Sequence, residues 1–283
     1  MSMLLQQTDE WIKVRKSKIG ASDAPVIMKV SPWKTPYQLW LEKISNQKET
    51  TKTNSMDRGL KLEDKARDEF EKITGIFVIP QVVFHKSHDW MMASLDGMDL
   101  EQKNIVEIKC PGKIDHELAL SGKVPDKYYP QLQHQMEVCE LDIAYYFSFD
   151  GEKGTVLNIK RDDSYIKRMV EKEKEFFECM QNFIAPETNE RDYIKTDDDM
   201  SYYTASKLLD LKKKIKELEM QEKDLTADLL LMCQYKNTQG RNFKITKTIR
   251  KGSVEYTKIP ELEWVDLEKY RKKPIDVWRI SNG

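Results

Sequence analysis

The chain has 283 residues, 39% hydrophobic and 34% charged, with 47 Lys and Arg against 48 Asp and Glu, so its formal net charge is −1 at pH 7. That balance belongs to a globular chain with a core, large enough for one big domain or one domain plus an appendage, and the missing basic excess argues against a protein that only coats nucleic acid. No run approaches the roughly 18 apolar residues of a membrane span, and the polar N-terminus lacks an apolar signal region, which predicts a cytosolic protein without membrane contact.

Residues 11–45 read as short helices: Trp11 to Arg15, a break at Ile19-Gly20, a turn N-capped by Ser22 and Asp23 and reaching Met28, and a helix from Pro36 to Ile44. A stronger helix spans 56–74, with Met56, Leu60, Ala66, Phe70 and Ile73 on one stripe and Gly75 closing it. Ile76–Phe84, Met91–Leu95 and Ile105–Ile108 read as strands, the last two joined by a turn around Gly97. Tyr128–Val138 is a helix that tolerates Pro130 in its first turn. Ala144–Phe149 and Thr155–Ile159 form a hairpin across Asp150-Gly151, and Ser164–Phe183 is a long amphipathic helix.

Residues 185–200 are polar and read as a linker. Beyond it, Leu208, Leu211, Ile215, Leu218, Leu225, Leu229 and Met232 alternate by threes and fours, with Glu222 as the one break. That is the stripe of a coiled coil or helical hairpin. Lys212 to Lys214 read as its solvated face. Residues 240–283 read as a small β-rich element, with strands at Phe243–Thr248 and Val254–Thr257. The predicted organisation is an α/β domain over 1–184, a linker over 185–200, and a helical arm with a small β element over 201–283.

The chemistry concentrates in Ala93-Ser94-Leu95-Asp96-Gly97 and Val106-Glu107-Ile108-Lys109-Cys110-Pro111. Strand side chains alternate faces, so Glu107 and Lys109 share one side while Ile108 points to the other. A hairpin brings Asp96 beside them. Two carboxylates, a carbonyl from Ile108 and a lysine make either a charged hairpin on a surface or a set that holds Mg²⁺ by hard oxygen atoms and hydrolyses a phosphodiester. Lys109 either orients or deprotonates the water, the latter if its pKa is lowered, or stabilises the transition state. Charges inside the apolar run 105–108 need such a reason. Glu63 falls on the buried stripe of the 56–74 helix, where it meets a cation, or at the stripe's edge, paired with Arg67. Tyr128, Gln131 and Gln135 lie on one helix face. Trp33, Tyr37 and Trp40 serve either the core or base stacking. Arg271-Lys272-Lys273 is a phosphate contact or a surface cluster. Cys110, Cys139, Cys179 and Cys233 contain no CxxC pair, so we expect reduced thiols and no iron–sulfur cluster.

Four blocks over residues 11–184, "WIKVRKSKIGASDAPVIM", "RGLKLEDKARDEFEKITG", "MASLDG…VEIKCPG" and "YYPQLQHQMEV", resemble in order the lambda exonuclease/YqaJ-type viral recombinase family of the PD-(D/E)xK nuclease superfamily. Leu95 stands where that superfamily usually has proline. The resemblance implies a restriction-endonuclease-like core, a central mixed sheet flanked by helices. It implies Asp96, Glu107 and Lys109 as catalytic residues, Glu63 completing the metal site, and Gln131 beside it with Tyr128 and Gln135. It implies a pocket for a 5′-terminal phosphate from Arg15, Ser22 and Ser94, although Arg15 also suits a surface salt bridge. The Arg that lambda exonuclease uses after Lys-Cys-Pro is replaced by Asp115, with Lys113 nearby.

The implied activity is a Mg²⁺-dependent 5′→3′ double-strand DNA exonuclease of phage or prophage origin in a bacterial cytoplasm, with Mn²⁺ as a substitute. It acts on duplex ends as a homo-oligomeric ring, a trimer before a tetramer, and feeds a single-strand annealing recombinase. An endonuclease or nickase on the same core, and a non-catalytic DNA-binding accessory, are the alternatives.

Overall fold

The computed structural model describes residues 4–45, 54–262, 264–265 and 267–270. Residues up to Ile194 form one compact unit and those from Lys195 a second. A six-stranded sheet organises the first, in the order β1 (Ile19–Gly20), β3 (Met91–Met98), β4 (Ile105–Lys109), β5 (Ile143–Phe149), β6 (Gly154–Lys160), with β2 (Ile79–Phe84) off this path and also paired to β3. The sheet is mixed, as predicted. β1–β3 and β4–β5 are parallel, and the remaining pairs are antiparallel. The parallel β4–β5 step needs a long crossover, supplied by α5 (Lys113–Leu120) and α6 (Tyr129–Cys139).

Strand alternation gives the sheet two apolar faces. On one, Ile105 and Tyr146 pack with Leu132 and Met136 of α6 and Phe176 of α7 (Asp163–Gln181). On the other, Val106, Ile108, Phe147 and Phe149 pack with Ala66 and Phe70 of α4 (Asn54–Thr74). Gly75, at φ 72°, ends α4 in the left-handed region that glycine enters without steric cost. Ile73, placed on the buried stripe by its spacing, is exposed in the last turn of α4. The side chains of Met56 and Leu60 lie outside the described set.

The N-terminal helices are α1 (Asp9–Ser17), α2 (Ala24–Ile27) and α3 (Pro36–Ile44). Ser22 and Asp23 do not cap α2 through their side chains. They lie in a 3-10 turn, where the Asp23 carboxylate accepts the Gly20 N–H at 2.8 Å and pairs with Lys43 at 2.5 Å. Trp40 sits in the core, its indole N–H bonded to the Cys179 carbonyl at 3.2 Å, and Tyr37 stacks on it.

The segment read as a linker is in part structural. Arg191 donates to the Ser31 and Pro32 carbonyls at 3.3 and 2.8 Å, and Thr35 bonds Asp192, so the first unit continues past residue 184. In the second unit, α8 (Asp199–Met232) is one uninterrupted 34-residue helix rather than a hairpin, and none of its residues is buried. The β element reduces to β7 (Thr238–Gln239) paired with β8 (Lys244–Ile245), and the predicted strand at 254–257 gives way to a 3-10 turn at Tyr256–Lys258. Arg271 to Lys273 fall outside the described residues. Among the described residues, no helix is long and apolar enough to cross a membrane.

Candidate active site at the open end of β3 and β4

The turn between β3 and β4 is not at Gly97. It runs from Asp99 to Asn104, closed by the Asp99 carboxylate accepting the Lys103 and Asn104 N–H groups at 2.8 and 3.0 Å. Gly97 lies inside the ladder, paired with Val106. A Cβ there would come within 2.6 Å of Val78 Cγ2 and 2.7 Å of Val106 Cγ1, so the glycine serves close approach rather than turning.

Beside it β3 carries a bulge. Ile79 pairs with Met98 but Gln81 pairs with Leu95, so three steps on β3 oppose two on β2. Bulges re-aim side chains. Here Asp96 is directed at the neighbouring strand, and its Oδ2 accepts the Ile108 N–H at 2.8 Å. The N–H and C=O of one strand residue share an edge, so the Ile108 carbonyl lies on the Asp96 side of β4.

Glu107 is 1% exposed, on the α6 side of the sheet. A buried carboxylate requires donors, and three reach it. Gln131 Nε2 donates to Oε1 at 2.6 Å, Gln135 Nε2 to Oε2, and Lys109 Nζ pairs with Oε1. The three–four spacing of Gln131 and Gln135 thus places both amides on one carboxylate. Lys109 Nζ also lies 5.4 Å from the centre of the Tyr128 ring.

Burial, then the nearby Glu107 carboxylate, pushes the Asp96 carboxyl up to about 8. Lys109 goes the other way from the lowering that a general base needs. Burial opposes its charge, but Glu107 and Asp96 outweigh it and hold the amine protonated above the usual lysine range. Glu63 faces this group from α4, its carboxyl raised mainly by burial. It is bonded to Arg67 at 2.9 Å, the pairing open in the sequence reading. Arg67 also donates Nε to the Asp96 carbonyl at 3.1 Å, a link that spacing within α4 could not reveal.

Arg15 and Ser22 are in direct contact, guanidinium to hydroxyl at 2.9 Å. Ser94 joins them through Trp11, whose indole N–H donates to Ser94 Oγ at 2.8 Å while the Arg15 guanidinium lies 5.0 Å over the ring. This bridging role of Trp11 is absent from the sequence-based expectations, although its place four residues before Arg15 on α1 signals it. Lys113 is not drawn in. It is highly exposed and faces Glu117 at 3.7 Å, while Asp115 is taken by Lys127 at 2.6 Å.

Residues 10–142 match the YqaJ-like viral recombinase domain. The YqaJ-like segment holds Asp96, Glu107, Lys109, Glu63, Gln131 and Gln135 together. The chain is 32% identical over 176 residues to the protein YqaJ of Bacillus subtilis strain 168, across 60% of this chain and 55% of that protein, so it spans about half of that relative's length. Among solved structures it is similar to the alkaline exonuclease LHK-Exo of Laribacter hongkongensis. The TM-score is 0.55 and the identity 26%, over 62% of this chain and 94% of that one. The complex of LHK-Exo with dAMP gives a TM-score of 0.54 and 25% identity over the same shares.

Proposed function

We propose that this chain is a Mg²⁺-dependent deoxyribonuclease that digests one strand of linear duplex DNA from its 5′ end and leaves a 3′ overhang for an annealing protein. The observation that carries the reading is Glu107, a buried carboxylate with both oxygens held by donors, set beside the bulged Asp96. The likeness to an alkaline exonuclease supports it.

The residues fit a divalent metal. Asp96, Glu107, Glu63 and the Ile108 carbonyl are all oxygen donors, the kind hard cations take. Burial and repulsion from Glu107 raise the Asp96 carboxyl, which marks a local deficit of positive charge. Mg²⁺ held there, or Mn²⁺ in its place, supplies charge to the phosphate and acidifies water.

The chain's own groups divide the remaining work. Lys109, kept as an ammonium by its carboxylate neighbours, offers charge to the phosphate oxygens rather than taking a proton from water. Gln131 and Gln135 fix the plane of Glu107. Arg67 ties Glu63 to the Asp96 main chain. Arg15 presents a fork to a 5′-terminal phosphate, with Ser22 against it and Ser94 set by Trp11. Assembly into a ring around DNA, a trimer before a tetramer, would keep the chain on its substrate, and the apolar seam of α8 is a surface for self-association or for the annealing partner.

The test is digestion of end-labelled linear duplex, with 5′-phosphate or 5′-hydroxyl ends, with Mg²⁺ and with EDTA, beside covalently closed circles. Metal-dependent loss of the 5′-phosphorylated strand is expected. Cutting of the circles would make the protein an endonuclease or nickase, and binding without cutting an accessory.

A further inference from the structure

Trp33 is 65% exposed, yet its loop is firmly held. Arg191 donates to the carbonyls of Ser31 and Pro32, and Ser31 Oγ accepts the N–H groups of Trp33 and Lys34 at 3.3 and 3.4 Å. Gln38 Nε2 donates to the Arg191 carbonyl at 3.0 Å. Ordering a loop costs conformational entropy. Doing so beneath an exposed ring pre-organises that ring for a ligand.

The ring stands near the candidate active site. It lies 6.2 Å from Tyr128, whose own ring is 5.4 Å from Lys109 Nζ. Lys127 Nζ sits over both rings, 5.0 Å from Trp33 and 5.3 Å from Tyr128, anchored by Asp115. A cavity of about 550 Å³ adjoins them, its walls apolar at Leu118, Val124 and Pro125 and its charges balanced, Lys123 and Lys127 against Asp115 and Asp126. An aromatic face with apolar walls suits the stacking of a nucleobase. Bases inside a duplex offer no free face, so the ligand is an unpaired nucleotide.

Resting on the nuclease reading above, we propose that Trp33 is a stacking platform for an unpaired nucleotide of the DNA next to the cut, with Arg191 as the positioning residue of its loop.

The test uses the full chain carrying Asp96→Asn, so that DNA is bound and not cut. The probes are a blunt duplex and the same duplex with a short unpaired terminus containing 2-aminopurine. Binding is expected to quench the 2-aminopurine. Trp33→Ala should remove the quench and weaken the frayed duplex about tenfold, with the blunt duplex changed less than about twofold. Trp33→Phe should retain most of the quench, and Trp264→Ala, which removes another exposed tryptophan, should alter nothing. Arg191→Ala should diminish the quench in part. In the chain with Asp96 intact, Trp33→Ala should raise KM with kcat little changed.

Unchanged quench and affinity in Trp33→Ala would overturn the proposal, and so would equal weakening of both duplexes. A chain that cuts linear duplex without Trp33-dependent quenching would lose the platform alone. A chain that quenches through Trp33 but cuts nothing would keep the platform and lose the nuclease reading.

Discussion

Arg67 donates its Nε to the main-chain oxygen of Asp96, 29 residues away, while its terminal nitrogens hold Glu63 and Asp64. One guanidinium therefore couples a helix to the bulge that carries the Asp96 carboxylate. Residues that orient ligands without touching the metal typically change affinity or rate ten- to a hundredfold. Arg67→Ala should lower cleavage by about that factor. Arg67→Lys should recover little of it, because an ammonium cannot span both partners. Steady-state rates at several Mg²⁺ concentrations check this, and a rate within about twofold of the parent would remove Arg67 from the site.

Asp96→Asn and Lys109→Ala should each abolish cleavage, with a loss on the order of 10³-fold, while affinity for duplex survives. Gel-shift and digestion assays on the same preparations separate the two effects. Wild-type cutting by Asp96→Asn would discard the site.

On the proposed metal site, Asp96 should link metal binding to pH. Its carboxyl lies near 3.8 in the unfolded chain and is pushed up to about 8 in the metal-free fold. The folded protein therefore holds a proton that the unfolded chain has released, and this contribution to stability is lost as pH rises from about 4 through about 8. Mg²⁺ should take over from that proton. Tm in EDTA should fall between pH 6.5 and 8.5, and the gain in Tm on adding Mg²⁺ should be larger at the higher pH. An equal gain at both would contradict the linkage.

Behind the site, His134 and Glu173 form a fully buried pair at 2.8 Å, and His134 Nε2 donates to the Met92 carbonyl at 3.0 Å. Burial opposes the imidazolium, but Glu173 outweighs it and holds His134 above its usual range near 6.5. Its contribution is complete below that range and fades as pH rises through the elevated value. His134→Leu leaves Glu173 buried without its partner and should cost about 3–5 kcal/mol. Urea unfolding of the variant, compared with the double variant His134→Leu/Glu173→Leu, measures it. The double variant should recover much of the loss.

The legible part of the molecule was the part set by short-range pattern. Alternation placed β3 and β4, and three–four spacing put Gln131 and Gln135 on one helix face. What failed depended on distant partners. Gly97 read as a turn because glycine usually marks one, whereas here Val78 and Val106 leave no room for a side chain. The polar stretch around Arg191 read as linker because its partners, the Ser31 and Pro32 carbonyls, are backbone atoms with no sequence signature. The protonated state of Lys109 follows from a balance of burial against two carboxylates, which spacing does not weigh. The heptad stripe marked a helix correctly, but whether it doubles back is decided by the turn residues between halves, and α8 runs straight on.

The extra residue in β3 shifts the phase of the strand. Ala93 and Leu95 before it and Met98 after it enter the same apolar cluster, which unbroken alternation would forbid. Asp96 falls at the slip, its side chain turned to the Ile108 N–H of β4 rather than into the apolar cluster. Exchanging it for asparagine should silence the chemistry and leave the fold as stable or more so, since asparagine stays neutral at the pH where Asp96 would lose its proton beside Glu107. Selection on folding alone would therefore let this position drift.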